Sequence, residues 1–233
     1  MTVTPPALSV IIPTWNEARR VEAAVRAARA LGSEVLVVDA GSTDDTAARA
    51  EAAGAVVVLS RRGRGAQLHA GARRATGDVL LFLHADAELP ASAAGAIAFA
   101  LRDEEVVGGN FYLRFVPDSN AARLFTWANH LRRRWLRIYY GDSALFLRRR
   151  TYDALGGFRE LPILEDYELV RRLERHGRTA YVRDVEVQVS ARRFERAPLR
   201  TLLVWTWIQV LYSVFGVSPA RLARHYADIR EGS

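Results

Sequence analysis

Apolar residues along the chain fall into two rhythms. Short unbroken runs of Val, Leu and Ile alternate with stretches in which apolar positions recur every three or four residues, the period of one helix face. The first rhythm predicts strands over Ala7–Pro13, Glu34–Ala40, Ala55–Ser60 and Asp78–Asp86. The second predicts helices over Asn16–Leu31, Ser42–Gly54 and Gly65–Gly77. In the first of these helices Val21, Val25 and Ala28 share a face, Asn16 is the expected N-cap and Gly32 the stop. Apolar strands separated by helices are buried on both sides. They imply an α/β fold with an open, mostly parallel sheet and helices on both faces.

Beyond residue 90 the pattern is less regular. Helices are expected over 91–102, 121–140 and 165–177, strands over 108–116 and 143–150, and one or two strands over 179–194. Two helical stretches close the chain, and no linker, repeat or low-complexity segment divides it, so one domain is expected over 1–233. The longest apolar stretch, Leu202–Val217, is short for a membrane span and is interrupted by Gln209 and Ser213. A helix that packs on the domain or on a second copy, or that lies on a bilayer surface, fits it better. The opening MTVTPPALSVIIP lacks the basic start of a signal peptide and reads as a strand.

Composition narrows the chemistry. There is no cysteine, which excludes disulfides and thiolate metal sites and suits the cytoplasm. The net charge is +7, and every one of the 33 basic residues is arginine. Without lysine there is neither a Schiff base nor a Walker A loop. A basic surface suits an anionic partner: nucleotide, nucleic acid or lipid headgroups.

Ligands of open α/β sheets sit beyond the carboxyl ends of the strands, and four predicted strand ends carry unusual residues. The first runs into PTWNE. Pro13 and Asn16 can simply stop a strand and cap a helix, with Glu17 complementing its dipole. No Gly-x-Gly-x-x-Gly occurs there, so the dinucleotide fingerprint is absent. Asp39 ends the second strand, placed to accept hydrogen bonds from a base or ribose. After the third, RRGRGAQ sets Arg61, Arg62 and Arg64 among glycines before a helix. That pattern suits a diphosphate, or a plain solvated loop.

The fourth strand ends in HAD. A carboxylate at the mouth of a buried strand must be solvated, paired or metal-bound. Asp86 can coordinate a Mg²⁺ or Mn²⁺ ion that also binds phosphate. His84, two residues earlier on the same strand face, is a second candidate ligand or a structural histidine. Glu165 and Asp166 open a later helix, where the dipole favours acids. The glycine-rich YDALGGFRELP before them can fold such an acid over a site, as a general base.

SVIIPTWNE, VVDAGSTDDT, GRGAQLHAGARRATGD, LLFLHAD, GGF and LEDYEL stand in the order they take in family 2 glycosyltransferases, and over roughly Leu8–Phe194 the chain resembles that family. LLFLHADAELP, YGDSALFLRRRTYDALGGFRELPILEDYELVRRL and SARRFE further resemble a small bacterial subgroup labelled arsenosugar-biosynthesis glycosyltransferases. The resemblance implies a Rossmann-like GT-A fold. It divides the chain into a nucleotide-binding half over about 1–100, an acceptor and catalytic half over about 101–197, and C-terminal helices over about 198–233. It also implies a UDP- or GDP-sugar donor, Mn²⁺ or Mg²⁺, and inversion at the anomeric carbon.

Pro13 and Glu17 match the family's nucleoside-contacting loop, Asp39 the acid that reads the base, and Arg64 the basic residue near the base and diphosphate. Asp86 matches the last acid of D-x-D, and Asp166 the catalytic base. His84 replaces the first D-x-D acid, and SARRF stands where processive members carry Q-x-x-R-W, which implies a single, non-processive addition. Arg192, Arg193 and Glu165 are candidates for the leaving diphosphate or the acceptor, with a plain surface pair the alternative for the two arginines and a dipole partner that for Glu165.

Two rival readings are weaker. A sugar-1-phosphate nucleotidyltransferase needs a glycine-rich first loop and a lysine, both absent. An arginine-rich module could place NHLRRRWLRIYY on nucleic acid or anionic lipid, but that spacing suits a packing helix with a solvated basic face, so no nucleic acid is expected.

Overall fold

The computed structural model describes residues 6–31, 34–191 and 198–224. Its parallel half contains β1 (Leu8–Thr14), β2 (Glu34–Asp39), β3 (Val56–Leu59) and β4 (Val79–Phe82), ordered β3-β2-β1-β4. Helices α1 (Val21–Arg29), α2 (Thr46–Ala52) and α3 (Arg64–Arg74) connect them. Alternate side chains serve two cores, as the pleat requires. Val10, Ile12, Val35, Val37 and Leu81 pack with α1, while Ile11, Leu36, Val38, Leu80 and Phe82 pack with Leu68 and Ala72 of α3.

The second half adds β5 (Ala87–Glu88), α4 (Ser92–Ala100), β6 (Val106–Val116), α5 (Asn120–Leu131), β7 (Leu145–Arg148), α6 (Arg149–Ala154), α7 (Glu165–His176), β8 (Arg178–Ser190) and α8 (Pro198–Ser213). The eight-stranded sheet runs β3-β2-β1-β4-β7-β6-β8-β5. Only β5 and β7 run against the common direction, so the sheet is mostly parallel, as expected. β7 is antiparallel to β4, with Leu145 opposite Phe82. It therefore brings its amino end to the edge where β1, β2 and β4 present their carboxyl ends.

Four local expectations need correction. Asn16 does not cap α1. It sits at φ 55°, four residues before the first helical turn closes, and its Oδ1 accepts the Thr43 N–H at 2.9 Å, tying the loops after β1 and β2 together. Gly32, the predicted stop, lies outside the described residues. The fourth strand stops at Phe82, not Asp86. Leu83 N–H still reaches the Ile11 carbonyl at 3.0 Å, and then Ala87 N–H closes a turn on the His84 carbonyl at 3.1 Å. His84 and Asp86 are thus neighbours through a turn, not through one strand face.

The helix predicted over 121–140 ends at Leu131, passes into a widened turn over Arg132–Leu136 and stops at Arg137, φ 54°. The physical reason is Arg133, only 7% exposed. It donates to Asn110 Oδ1 at 2.7 Å and Thr179 Oγ1 at 2.9 Å, and its guanidinium lies 4.3 Å from the Tyr139 ring centre. The basic face is therefore not wholly solvated. Lastly, the stretch from 179 is one bulged strand, β8, and 143–150 divides into β7 and the start of α6.

α8 covers a third cluster, setting Ile208 against Leu164 and Tyr167, with Ile138 and Tyr140 alongside. Among the described residues no helix is long and apolar enough to cross a membrane.

Candidate active site

The loops after β1, β2 and β3 form one wall of the site. Asp39 is 2% exposed, and its own surroundings use both its oxygens. Oδ2 accepts the N–H groups of Gly41 (3.0 Å) and Ser42 (2.8 Å), and Oδ1 accepts the hydroxyls of Ser42 (2.5 Å) and Thr14 (3.2 Å). Four bonds fill a carboxylate, so a base can be read only by displacing one of those hydroxyls. Pro13 lies near the end of β1, opposite Val38. Glu17 pairs with Arg20 at 3.3 Å, and its N–H donates to Thr46 Oγ1 at 2.8 Å. Gln67, which the sequence pattern did not single out, donates from one buried amide to the carbonyls of Thr14 and Val38, each at 2.9 Å. It locks the carboxyl ends of β1 and β2 together.

The three loop arginines go to three different partners. Arg61 pairs with Glu160, the Arg62 guanidinium stacks 3.6 Å from the Trp15 ring centre, and Arg64 lies 3.6 Å from Glu165 Oε1. Arg64 is the first residue of α3, and its side chain stays largely exposed. A Cβ on Gly65 would collide with the carbonyl of Arg159, so α3 can approach the segment before α7 this closely only with glycine there.

The second wall converges on Gly141. Its N–H donates to Asp166 Oδ2 at 2.8 Å, and the Tyr167 N–H donates to Oδ1 at 2.7 Å. The point where a Gly141 side chain would stand is 3.3 Å from Asp166 Oδ2 and 3.4 Å from His84 Nε2. Asp166 and His84, far apart in sequence, therefore flank one backbone turn.

Asp142 belongs to the same cluster and was missed in the sequence. Its Oδ1 is buried without a hydrogen-bond partner. Burial, and then the charges of Asp166 and Asp86, push its carboxyl up to about 6, against the opposing pull of Arg132 and Arg64. Burial and Asp166 likewise push the Glu165 carboxyl up, with Arg64 opposing. The signal for Asp142 was YGDSALFL, an acid just before an apolar strand, the mirror of HAD.

Two tyrosines tie this wall to α8. Tyr140 donates from its hydroxyl to Gln209 Oε1 at 2.8 Å, and Tyr167 shares a hydrogen bond with Ser213 Oγ at 3.0 Å. Two polar residues of the largely apolar helix thus brace the residues next to Gly141 and Asp166. Beside Asp86 opens a groove of about 1010 Å³, bordered by Arg19 and Arg20 before α1 and by Glu186 and Gln188 of β8. Arg192 and Arg193 lie outside the described residues.

The charges of Asp166 and Asp86 both act on Asp142, and that of Asp166 on Glu165, with Arg132 and Arg64 opposing. Among the described residues no three acid or histidine side chains are placed to hold an ion by themselves. One or two carboxylates completed by a ligand's phosphates are nevertheless a donor set that Mg²⁺ takes. Asp142 Oδ1, orphaned beside Asp86, fits that use.

A parallel half with its loops at one edge, and an antiparallel strand bringing acids to the same edge, make this the GT-A fold of glycosyltransferases. Solved structures agree. A mannosyltransferase from Pyrobaculum calidifontis in complex with GDP-Man and Mn²⁺ superposes with TM-score 0.63 at 23% identity, over 80% of this chain and 57% of that one. Glucosyl-3-phosphoglycerate synthase from Mycobacterium tuberculosis, in complex with Mn²⁺, UDP and phosphoglyceric acid, superposes with TM-score 0.56 at 21% identity, over 79% and 69%. By sequence, an uncharacterized glycosyltransferase of Mycobacterium tuberculosis is 43% identical over 86 residues, 36% of this chain and 39% of that protein. The match thus spans about two fifths of that relative's length. The profile of Glycosyl transferase family 2 matches residues 9–159, and the chain belongs to that family.

Proposed function

We propose that the chain is an inverting, non-processive glycosyltransferase that moves one sugar from a UDP- or GDP-sugar to an acceptor hydroxyl. The observation that carries this reading is Asp166, held by two backbone N–H groups beside the His84–Asp86 turn. Each of its oxygens keeps a lone pair for an acceptor proton. The acceptor oxygen attacks the anomeric carbon as its proton passes to Asp166, and the bond from that carbon to the diphosphate breaks on the opposite face. Pro13, Glu17 and Asp39 would hold the nucleoside, and Arg64 the diphosphate, with Arg192 and Arg193 as further candidates. Glu165 would hold Arg64 in place.

Asp86 and Asp142, with His84 nearby, would hold Mn²⁺ or Mg²⁺. Such an ion, when bound, neutralises charge developing on the leaving diphosphate. The neighbours bound to GDP-Man or UDP with Mn²⁺ support the donor and metal classes, and the SARRF segment supports non-processivity. Likeness to the arsenosugar subgroup is part of the same proposal, as is a cytoplasmic setting in which α8 meets a bilayer or a second copy.

The test is release of nucleoside diphosphate from a panel of UDP- and GDP-sugars by the purified chain. Release that needs a divalent ion and falls in Asp166→Asn supports the reading. Release indifferent to both would end it.

A further inference from the structure

α8 is apolar all round, yet only one of its faces is covered. Val204, Ile208, Leu211 and Tyr212 pack inward against the third cluster. On the other side Leu199, Leu203 and Trp207, spaced four residues apart, are 66%, 70% and 61% exposed, and Val214 and Phe215 continue the patch past the helix end. A helix apolar on every face is normally buried on every face, and a patch this large marks an interaction surface. The segment leading into Ile138, on which α8 packs, adds exposed Trp135 and Leu136, and Trp127 is exposed on α5.

Charge decides what covers the patch. Residues 198–224 hold Arg200, Arg221 and Arg224 and no Asp or Glu; residues 119–141 hold no acid and five arginines, of which Arg133 is buried and Arg123 pairs with Asp118. Arg134 lies over the Trp135 ring at 5.4 Å, and Arg137, exposed, stands 3.8 Å from Glu174. A two-fold dimer would set this cationic patch against its own copy and repel it. An anionic lipid surface complements it, with Trp and Leu entering the headgroup boundary and arginines meeting the phosphates.

We infer that the outer face of α8, with the Trp135–Leu136 turn, docks the protein on an anionic bilayer surface without crossing it. The bracing of Tyr140 and Tyr167 by Gln209 and Ser213 then sets the Gly141–Asp166 turn immediately behind the docked helix. The inference does not depend on the transferase reading, because binding is measured without any donor.

The test is co-sedimentation of the full chain with vesicles of phosphatidylcholine alone or with about one third phosphatidylglycerol, at low and high salt. Partitioning should be at least tenfold stronger on the anionic vesicles and weaken with salt. The Leu203→Glu/Trp207→Glu variant should lose it by tenfold or more. Both side chains are exposed, so its melting temperature should match the parent, and Leu59→Glu, exposed on β3 at the far edge of the sheet, should bind normally. Equal binding to both vesicle types, or no binding to either, overturns the inference. So does a parent dimer in sedimentation equilibrium that the double variant converts to monomer, since the occupant would then be a second copy.

Discussion

Replacing Asp142 by Asn should make the metal-free protein more stable and its nucleotide binding worse. The carboxyl ordinarily titrates at 3.8 and is pushed up to about 6 in the fold. A raised carboxylate is neutral in its effect below its unfolded value. It becomes a penalty as pH climbs from 3.8 to about 6, and the penalty is complete above. A shift of about two units is worth at most ~3 kcal/mol. Residual exposure of the side chain reduces this, so a gain of about 1–3 kcal/mol is expected at pH near 8. In a chain of this size that raises Tm by about 5 °C at the middle of the range. Near pH 4.5 the gain should shrink to about a third, because the folded parent is by then already protonated. Urea melts of parent and variant in EDTA at the two pH values measure it. A variant no more stable than the parent near pH 8, or equally stabilised at both pH values, would refute the reasoning. The same variant should bind nucleotide with Mn²⁺ at least about tenfold more weakly, since the stability cost is accepted for a charge the ligand uses.

Three further outcomes are expected. Asp166→Asn should lower turnover by about 10²-fold or more with donor affinity nearly unchanged, whereas Glu165→Gln should be milder; steady-state kinetics and calorimetry on both variants separate base from support. Gly141→Ala puts a methyl 3.3–3.4 Å from Asp166 and His84; it should lengthen the N–H···Oδ2 bond and cut turnover about tenfold or more while thermal melts move little. Arg133→Met takes the nearer guanidinium, 3.4 Å away, from Glu174 and leaves it Arg137 at 3.8 Å and the Thr179 hydroxyl; with the bond to Asn110 Oδ1 lost as well, it should cost about 1.5–3 kcal/mol in denaturant melts.

The parallel half of the fold was legible because β1 to β4 are unbroken apolar runs separated by helical periods, and the structure places all four where the pattern does. Their ends were less so. A strand ends where its ladder ends: β7 begins at Leu145, opposite Phe82, so β4 loses that partner there although β1 runs on to Thr14. The helix over 121–140 was misread because periodicity counts Arg133 as a surface residue. Asn110, Glu174, Thr179 and Tyr139, distant in the pattern, are what make its burial favourable. Glu165, Asp166, His84 and Asp86 were found as acids and a histidine at element ends. Asp142 escaped because attention fell on carboxyl ends of strands, and an antiparallel strand offers its amino end instead. Strand direction is a tertiary property that the two-residue period does not carry.

The central claim is that the acids at this edge bind a nucleoside diphosphate through a divalent ion. Calorimetric titration of UDP and GDP into the parent and Asp86→Ala, each with Mn²⁺ and with EDTA, tests it most directly. One nucleotide should bind the parent with Mn²⁺, EDTA should weaken this binding by tenfold or more, and Asp86→Ala should remove the dependence on the ion. Identical affinity in parent and variant with Mn²⁺ present would contradict it.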